Sequence, residues 1–168
     1  MHSSNAAAER RQRFDQYVAV YHQDMYRYAA WLSRDLVIAQ DVVQEALLRA
    51  WKSLDHLRDE GSAKQWLLTI VRRENARYFE RKRLETVDID NLTASQEALL
   101  GVEGNNELDE LRKAIYELDD DYREPLVLQV LMGYSTNEIA EQMGLKQGAV
   151  LTRLHRARAR LKDNMEQQ

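Results

Sequence analysis

Apolar residues recur along this chain at steps of three and four. Phe14, Tyr17, Val18, Tyr21, Met25 and Tyr28 keep that rhythm. It gathers their side chains on one face of an α-helix and predicts a first amphipathic helix from about residue 14. Val43, Ala46, Leu47, Ala50 and Leu54 repeat the pattern and predict a second helix over 36–54. The stretch LDHLRDEGSAK then breaks it. Asp59 and Gly61 suit a loop, and Ser62 suits the N-cap of a third helix over 63–83 that opens on Trp66, Leu67, Ile70 and Val71.

Periodicity is lost in LETVDIDNLTASQEALLGVEGNN, residues 84–106, which mixes acids, small polar residues and two glycines and reads as a linker. It returns with Leu108, Leu111, Ile115 and Leu118 on one helix face. A further helix holds Leu126, Val127, Val130 and Leu131, with an N-cap expected at Asp120 or Asp121 and Pro125 in its first turns. Gly133 is expected to stop it. No window alternates polar and apolar as a half-buried strand does, and six Gly and one Pro leave few turns for a β fold. The predicted fold class is all-α: two small helical domains joined by a flexible acidic linker. Residues 1–13 form an N-terminal tail, 14–83 the first domain, 84–106 the linker, 107–163 the second domain and 164–168 a C-terminal tail.

The last helices carry the most specific local signal. Ser135-Thr136-Asn137-Glu138 is a capping box: the Ser hydroxyl meets the N–H three residues on, and the Glu carboxylate reaches back. Ile139, Ala140 and Met143 face inward, Gly144 suits a turn at positive φ, and a second helix follows with Val150, Leu154, Ala157 and Leu161 as its apolar stripe. Helix, glycine turn and helix at these spacings describe a helix-turn-helix. In such a unit the start of the second helix enters the major groove. Lys146, Gln147, Leu151, Thr152 and His155 are therefore candidate base or groove-wall contacts. Arg153, Arg156 and Arg160 share a face and, with Arg158 and Lys162, are candidates for phosphate. Positive charge near a helix C-terminus is also favourable by itself.

Charge sharpens the picture. The protein is acidic overall, at −4 with a pI near 5.6, yet Lys146 to Lys162 holds six basic side chains and no acid. Residues 1–85 carry 15 basic against 12 acidic side chains, 86–124 carry 3 against 12, and 125–168 carry 6 against 4. The acid sits in the middle of the chain, between two lobes that each contain a basic helix. In the first lobe, Arg73, Arg77 and Arg81 are spaced by four, flanked by Arg72, Lys82 and Arg83 and accompanied by Trp66, Tyr78 and Phe79. Arginines beside aromatics hold a phosphate backbone and stack unpaired bases; the plainer reading puts the aromatics in the core and the arginines in water. On the preceding helix the apolar stripe leaves Asp41, Gln44, Glu45 and Leu48 together on the opposite face, an acidic ridge with an exposed leucine. That suits a protein partner, although most such faces only meet water.

Three segments in order, DVVQEALLRAWKSLDHL, WLLTIVRRENARYFERKR and LDDDYREPLVLQVLMGYSTNEIAEQMGLKQGAVLTRLHRARARL, resemble a bacterial RNA polymerase sigma factor of the small extracytoplasmic-function (ECF) group. The resemblance covers about 14–83 and 107–162. It implies that the first domain is sigma region 2 and the second region 4. It further implies that Asp41, Gln44, Glu45 and Leu48 dock on the clamp helices of the β′ subunit of core RNA polymerase. The loop 55–64 and the helix bearing Trp66, Arg72, Arg73, Asn75, Arg77 and Arg81 would open and read the minus-ten element of promoter DNA. Residues 135–162 would read the minus-thirty-five element beside the β flap, and the linker would thread polymerase channels. Family members are commonly held by an anti-sigma factor. Two departures stand out: Arg73 occupies a position where relatives often carry Asn, with Asn75 two residues on, and GAVLTRL replaces a pattern resembling GTVKSRL.

The alternative is a stand-alone helix-turn-helix regulator, which would need neither the acidic ridge nor the arginine-aromatic helix and would usually dimerise. An enzyme is disfavoured: there is no phosphate-cradling glycine loop, no HExxH and no nucleophile elbow. Neither cofactor nor metal is expected, because there is no cysteine and His2, His22, His56 and His155 are scattered. No signal-peptide-like start and no long apolar run is present, so membrane insertion is not expected and the cytoplasm is the expected location.

Overall fold

The computed structural model describes residues 2–85 and 106–167. The first lobe is an arrangement of three helices, α1 (His2–Ser33), α2 (Leu36–Ser53) and α3 (Ala63–Leu84), each packed on the other two. Met25, Tyr28 and Ala29 of α1 meet Val42, Ala46 and Ala50 of α2 and Leu67, Leu68 and Val71 of α3 in a core from which water is excluded. Helix α2 starts where the pattern requires, because the Asp35 carboxylate accepts from the N–H groups of Val37 (2.8 Å) and Ile38 (3.0 Å). The turn before it is unusual: Arg34 has a φ of +57°, a conformation that costs a residue with a Cβ about 1–2 kcal/mol.

Two expectations for this lobe are corrected. The segment 1–13, expected as a tail, is helical from His2 onward, because its arginines have docking points. Arg10 stacks over Trp51 at 4.2 Å and pairs with Asp55, while Arg13 donates to the Leu57 carbonyl at 2.6 Å. Ser62 does not cap α3. Its hydroxyl donates instead to Asp59, whose carboxylate also accepts from the Gly61 N–H and caps a short 3-10 turn at Glu60–Ser62.

The second lobe contains α4 (Asn106–Tyr116), α5 (Asp120–Val130), α6 (Thr136–Met143) and α7 (Gln147–Glu166). Helix α7 runs through most of the expected C-terminal tail. The residue at the N-cap of α5 is Asp119 rather than Asp120 or Asp121, and its carboxylate makes no cap, being engaged by Arg160. Of the expected apolar faces, Leu126 and Val127 are buried, as are Ile115 and Leu118, but Leu108, Val130 and Leu131 are exposed. The capping box forms as read: the Glu138 N–H donates to Ser135 Oγ and the Ser135 N–H to the Glu138 carboxylate. Gly144 adopts φ +64°, which glycine reaches without a Cβ penalty, and the Leu145 N–H returns to the Ala140 carbonyl at 2.9 Å to close α6. The expected linker, 84–106, lies outside the described residues except at its ends.

The two lobes clasp each other. Helix α1 packs on α5, and polar contacts ring that junction. Lys64 donates to the Met132 carbonyl (2.8 Å), Thr69 Oγ1 bonds Gln142 (2.8 Å) and Gln65 bonds Glu141 (3.1 Å). On the far side the Arg34 guanidinium donates to the Leu118 carbonyl (2.7 Å) and lies over the Tyr116 ring. The strained Arg34 backbone is thereby fixed by the second lobe. Arg123 of α5 is buried to 3% exposure; it donates to the carbonyls of Trp31, Tyr116 and Leu118 and pairs with Asp120. A buried guanidinium is tolerated only when its donors are satisfied, and here three carbonyls from both lobes do so.

Candidate nucleic-acid interface

The acidic ridge on α2 is exposed as the pattern requires. Asp41, Gln44, Glu45 and Leu48 all face solvent, and Leu48 is a large apolar side chain left at 55% exposure. Beside it lies an open cleft of about 320 Å³ whose other wall is Tyr78, Arg81 and Lys82 of α3 with Glu85 just past its end. The ridge and the end of the arginine helix are therefore neighbours in space.

The cationic stripe of α3 is divided. Arg73, Arg77 and Arg81 point to solvent, while Arg72 and Asn75 turn toward the second lobe. Arg72 Nε lies 2.6 Å from Glu124 Oε1, and the Tyr28 hydroxyl donates to the same oxygen at 2.9 Å. Burial lowers the affinity of the Arg72 guanidinium for its proton, but the Glu124 carboxylate more than offsets this and the pKa is raised. Tyr28 is pushed well above the usual tyrosine range, first by burial and then by the Glu124 charge and hydrogen bond. Asn75 lines a crevice of about 170 Å³ between the lobes with Arg72, Asp120, Arg123 and Glu124, and its Oδ1 is buried with no hydrogen-bond partner among the described residues. Trp66 and Tyr78 are half-buried against the core, nearer the plainer reading of these aromatics. Phe79 is the more exposed ring and meets Tyr78 edge-on at 5.4 Å.

In the second lobe α7 buries Val150, Leu154 and Ala157 completely, which turns Lys146, Gln147, Leu151, Thr152, His155 and Arg156 outward. Gln147 donates to Thr136 Oγ1 at 3.1 Å, tying the start of α7 to the start of α6. The Thr152 hydroxyl turns back to the Gly148 carbonyl, and Leu151 stands free at 51% exposure. The arginines separate into two sets. Arg153 pairs with Asp121, Arg160 pairs with Asp119 at 2.7 Å and lies over Tyr122, and Arg158 bonds Gln129. Arg156 has no such partner among the described residues. The aspartates at the start of α5 thus hold arginines of α7 across the helix-turn-helix, giving part of the central acid a structural use.

Sequence reasoning did not find Tyr28, Arg123 and Glu124 as a junction between lobes. Their partners lie up to 96 positions away, and nothing local marks them except charge beside an apolar run. Among the described residues no group of three or more His, Asp or Glu is placed to hold a metal ion, and no helix is long and apolar enough to cross a membrane.

A helix-turn-helix lobe clasped to a three-helix lobe with an exposed arginine row defines a bipartite nucleic-acid-binding protein. Residues 17–85 match the family described as sigma-70 region 2, and residues 108–161 match sigma-70 region 4. The chain is 34% identical over 167 residues to the ECF RNA polymerase sigma factor SigL of Mycobacterium tuberculosis, covering 92% of this chain and 89% of that one. It is 33% identical over 135 residues to EcfG of Rhodopseudomonas palustris, covering 80% and 75%. Among solved structures it resembles the sigma factor RpoE of Bartonella quintana, crystallised with the anti-sigma factor NepR, with a TM-score of 0.75 at 27% identity over 92% of this chain and 98% of that one. The chain belongs to the ECF RNA polymerase sigma factors and directs promoter recognition in transcription initiation.

Proposed function

We propose that this sigma factor rests with its lobes clasped and works with them apart. The observation that carries the reading is that Arg72 is held by Glu124 of the second lobe and Asn75 turns into the crevice between the lobes. Both lie on the helix that the family resemblance assigns to the minus-ten element, and neither is presented to DNA while Glu124 and Tyr28 hold that face.

In the working state, residues 14–83 act as region 2 and 107–163 as region 4, with 84–106 between them. Asp41, Gln44, Glu45 and Leu48 dock on the β′ clamp helices, for which an acidic ridge centred on an exposed leucine is suited. Trp66, Arg72, Arg73, Asn75, Arg77 and Arg81 open and read the minus-ten element, the cations holding the backbone while a freed base gains the contacts that repay its unstacking. In region 4, Lys146, Gln147, Leu151, Thr152 and His155 meet base edges or the groove wall. Arg153, Arg156, Arg158 and Arg160 meet phosphate. The exposed Leu151 offers an apolar contact of the kind a thymine methyl accepts. Region 4 also meets the β flap, and an anti-sigma factor stabilises the inactive form in the cytoplasm. The chain carries no catalysis of its own; the chemistry belongs to the polymerase.

The test is promoter affinity with and without core enzyme. Duplex fragments should be retained specifically by the chain plus core polymerase and only weakly by the chain alone. Nanomolar, sequence-specific binding without polymerase would instead favour a stand-alone helix-turn-helix regulator.

A further inference from the structure

Residues 2–13, HSSNAAAERRQR, contain nothing apolar larger than alanine. Hydrophobic burial cannot hold them, yet α1 extends through them. Arg10, Arg13, Phe14 and Tyr17 share the inward face of this arm by their three- and four-residue steps. Phe14 meets the Trp51 ring edge-on at 5.2 Å, which sets the arm against the end of α2. Tyr17 steadies Arg13, its hydroxyl accepting from Nε at 3.1 Å. Both arginines then reach backbone. Arg10 Nη2 donates to the Trp51 carbonyl in the last turn of α2, while its Nε pairs with Asp55 at 3.2 Å. Arg13 Nη2 donates to the Leu57 carbonyl at 2.6 Å.

The last carbonyls of a helix lack partners within it and attract positive charge. Asp55 is 76% exposed, so the ion pair itself contributes little. The carbonyl contacts are what fix the path of the chain as it leaves α2. From there it runs through two short 3-10 turns, Leu54–His56 and Glu60–Ser62. Leu54 and Leu57 are buried beneath this segment, and His56, Arg58 and Glu60 are exposed on it. It is pinned by its leucines from within and by the arginines of α1 from outside, with polar side chains turned to solvent. Ordering a loop costs conformational entropy for each residue fixed, and contacts that order it beforehand remove that cost from binding. We infer that Arg10 and Arg13 are positioning residues for minus-ten recognition, holding the loop 55–64 in the conformation in which it meets the freed strand. This role rests on the assignment of that loop to the minus-ten element. Neither arginine touches DNA in it.

Anisotropy of the holoenzyme formed with core polymerase tests it. The probes are labelled single strands from the minus-ten region of a promoter located by start-site mapping, and scrambled strands of the same composition. Arg13→Ala should lower the preference for the promoter strand about tenfold, the worth of one charge-assisted bond. Affinity for the scrambled strand and its salt slope should not change. Arg13→Lys should restore the preference, because an ammonium can reach one carbonyl. Arg10→Lys should lower it, since Arg10 holds a carbonyl, a carboxylate and a ring together. Hydrogen exchange of the free chain is the second measurement. In Arg13→Ala the amides of 55–62 should exchange faster, while those around Tyr28 and Val71 in the core keep their wild-type rates. Equal loss on both strands, with the slope reduced by about 0.7, would make Arg13 a phosphate contact and overturn the proposal. Faster exchange throughout the lobe in both Arg13→Ala and Arg10→Lys would make the arm a general brace and overturn it as well. A preference preserved in the variants removes the positioning role alone. A wild-type holoenzyme with no preference for the promoter strand removes the loop's part in promoter reading, and the positioning role with it.

Discussion

Arg72 and Glu124 meet across the boundary between the lobes, Nε to Oε1 at 2.6 Å, with the carboxylate only 12% exposed. Tyr28 shares the same oxygen, so a single carboxylate from the second lobe fastens two helices of the first. Glu124→Gln should therefore weaken the clasp. The loss is about 1–2 kcal/mol, below the full value for charge-assisted bonds because Arg72 remains 38% exposed. Small-angle scattering should show a larger radius of gyration with helix content unchanged. An unaltered radius would mean that the lobes are held elsewhere.

The same contact has an alkaline signature. The folded-state pKa of Tyr28 is raised, so from about pH 10 upward the unfolded chain releases a proton that the folded chain keeps. Stability is constant with respect to this group below that pH and falls above it, by up to about 1.4 kcal/mol per pH unit. Burial raises Tyr134 as well, with the Glu138 and Asp24 charges adding to it, so both tyrosines contribute. Tyr28→Phe should remove one proton's worth of that slope in urea denaturation at stepped alkaline pH. A slope equal to that of the wild type would place the titration elsewhere.

Arg123 is the most consequential single side chain at the junction. Arg123→Met would leave the carbonyls of Trp31, Tyr116 and Leu118 without this donor. The expected cost is about 3–5 kcal/mol, lowering the melting temperature by roughly 10 °C. Arg123→Lys should recover little, since an ammonium does not reproduce the planar fork. Calorimetry decides it; a change of a degree or two would show that water satisfies the carbonyls.

What the sequence made legible follows from the range of the forces involved. The helices in outline, the Ser135 capping box and the Gly144 turn are set by residues within four positions of one another; the capping box and the turn form as read, while several helices differ at their ends. The outward display of Asp41, Gln44, Glu45 and Leu48 follows from the stripe opposite them. The continuation of α1 to His2 was not legible, because Trp51, Asp55 and Leu57, which hold Arg10 and Arg13, lie some forty residues on. Nor was the division of the α3 cations: helical spacing sets Arg72 off the row of Arg73, Arg77 and Arg81 but cannot foresee Glu124. The pairing of Arg153 and Arg160 with Asp121 and Asp119 was hidden for the same reason.

That pairing separates the arginines of α7 by experiment. Arg156 is exposed and unpaired among the described residues, so Arg156→Ala should reduce the salt slope of promoter binding by about one phosphate's worth without changing stability. Arg160→Ala should lower both, because it also loses Asp119 and the Tyr122 ring. Equal effects on stability would contradict the division.

The acidic ridge is tested by reversing its charge. Asp41→Lys with Glu45→Lys leaves the buried face of α2 untouched, so circular dichroism should not change. Retention of core polymerase in a pull-down should fall by an order of magnitude or more. Undiminished retention would assign the ridge to solvent.

The most direct measurement is run-off transcription with purified core polymerase on genomic fragments, with and without the chain, followed by mapping of the start sites. The account predicts discrete transcripts that appear only when the chain is present. Their start sites should lie at a fixed distance from two upstream elements, and Glu124→Gln should yield them at lower chain concentration than the wild type. Transcripts indistinguishable from those of core polymerase alone would contradict it.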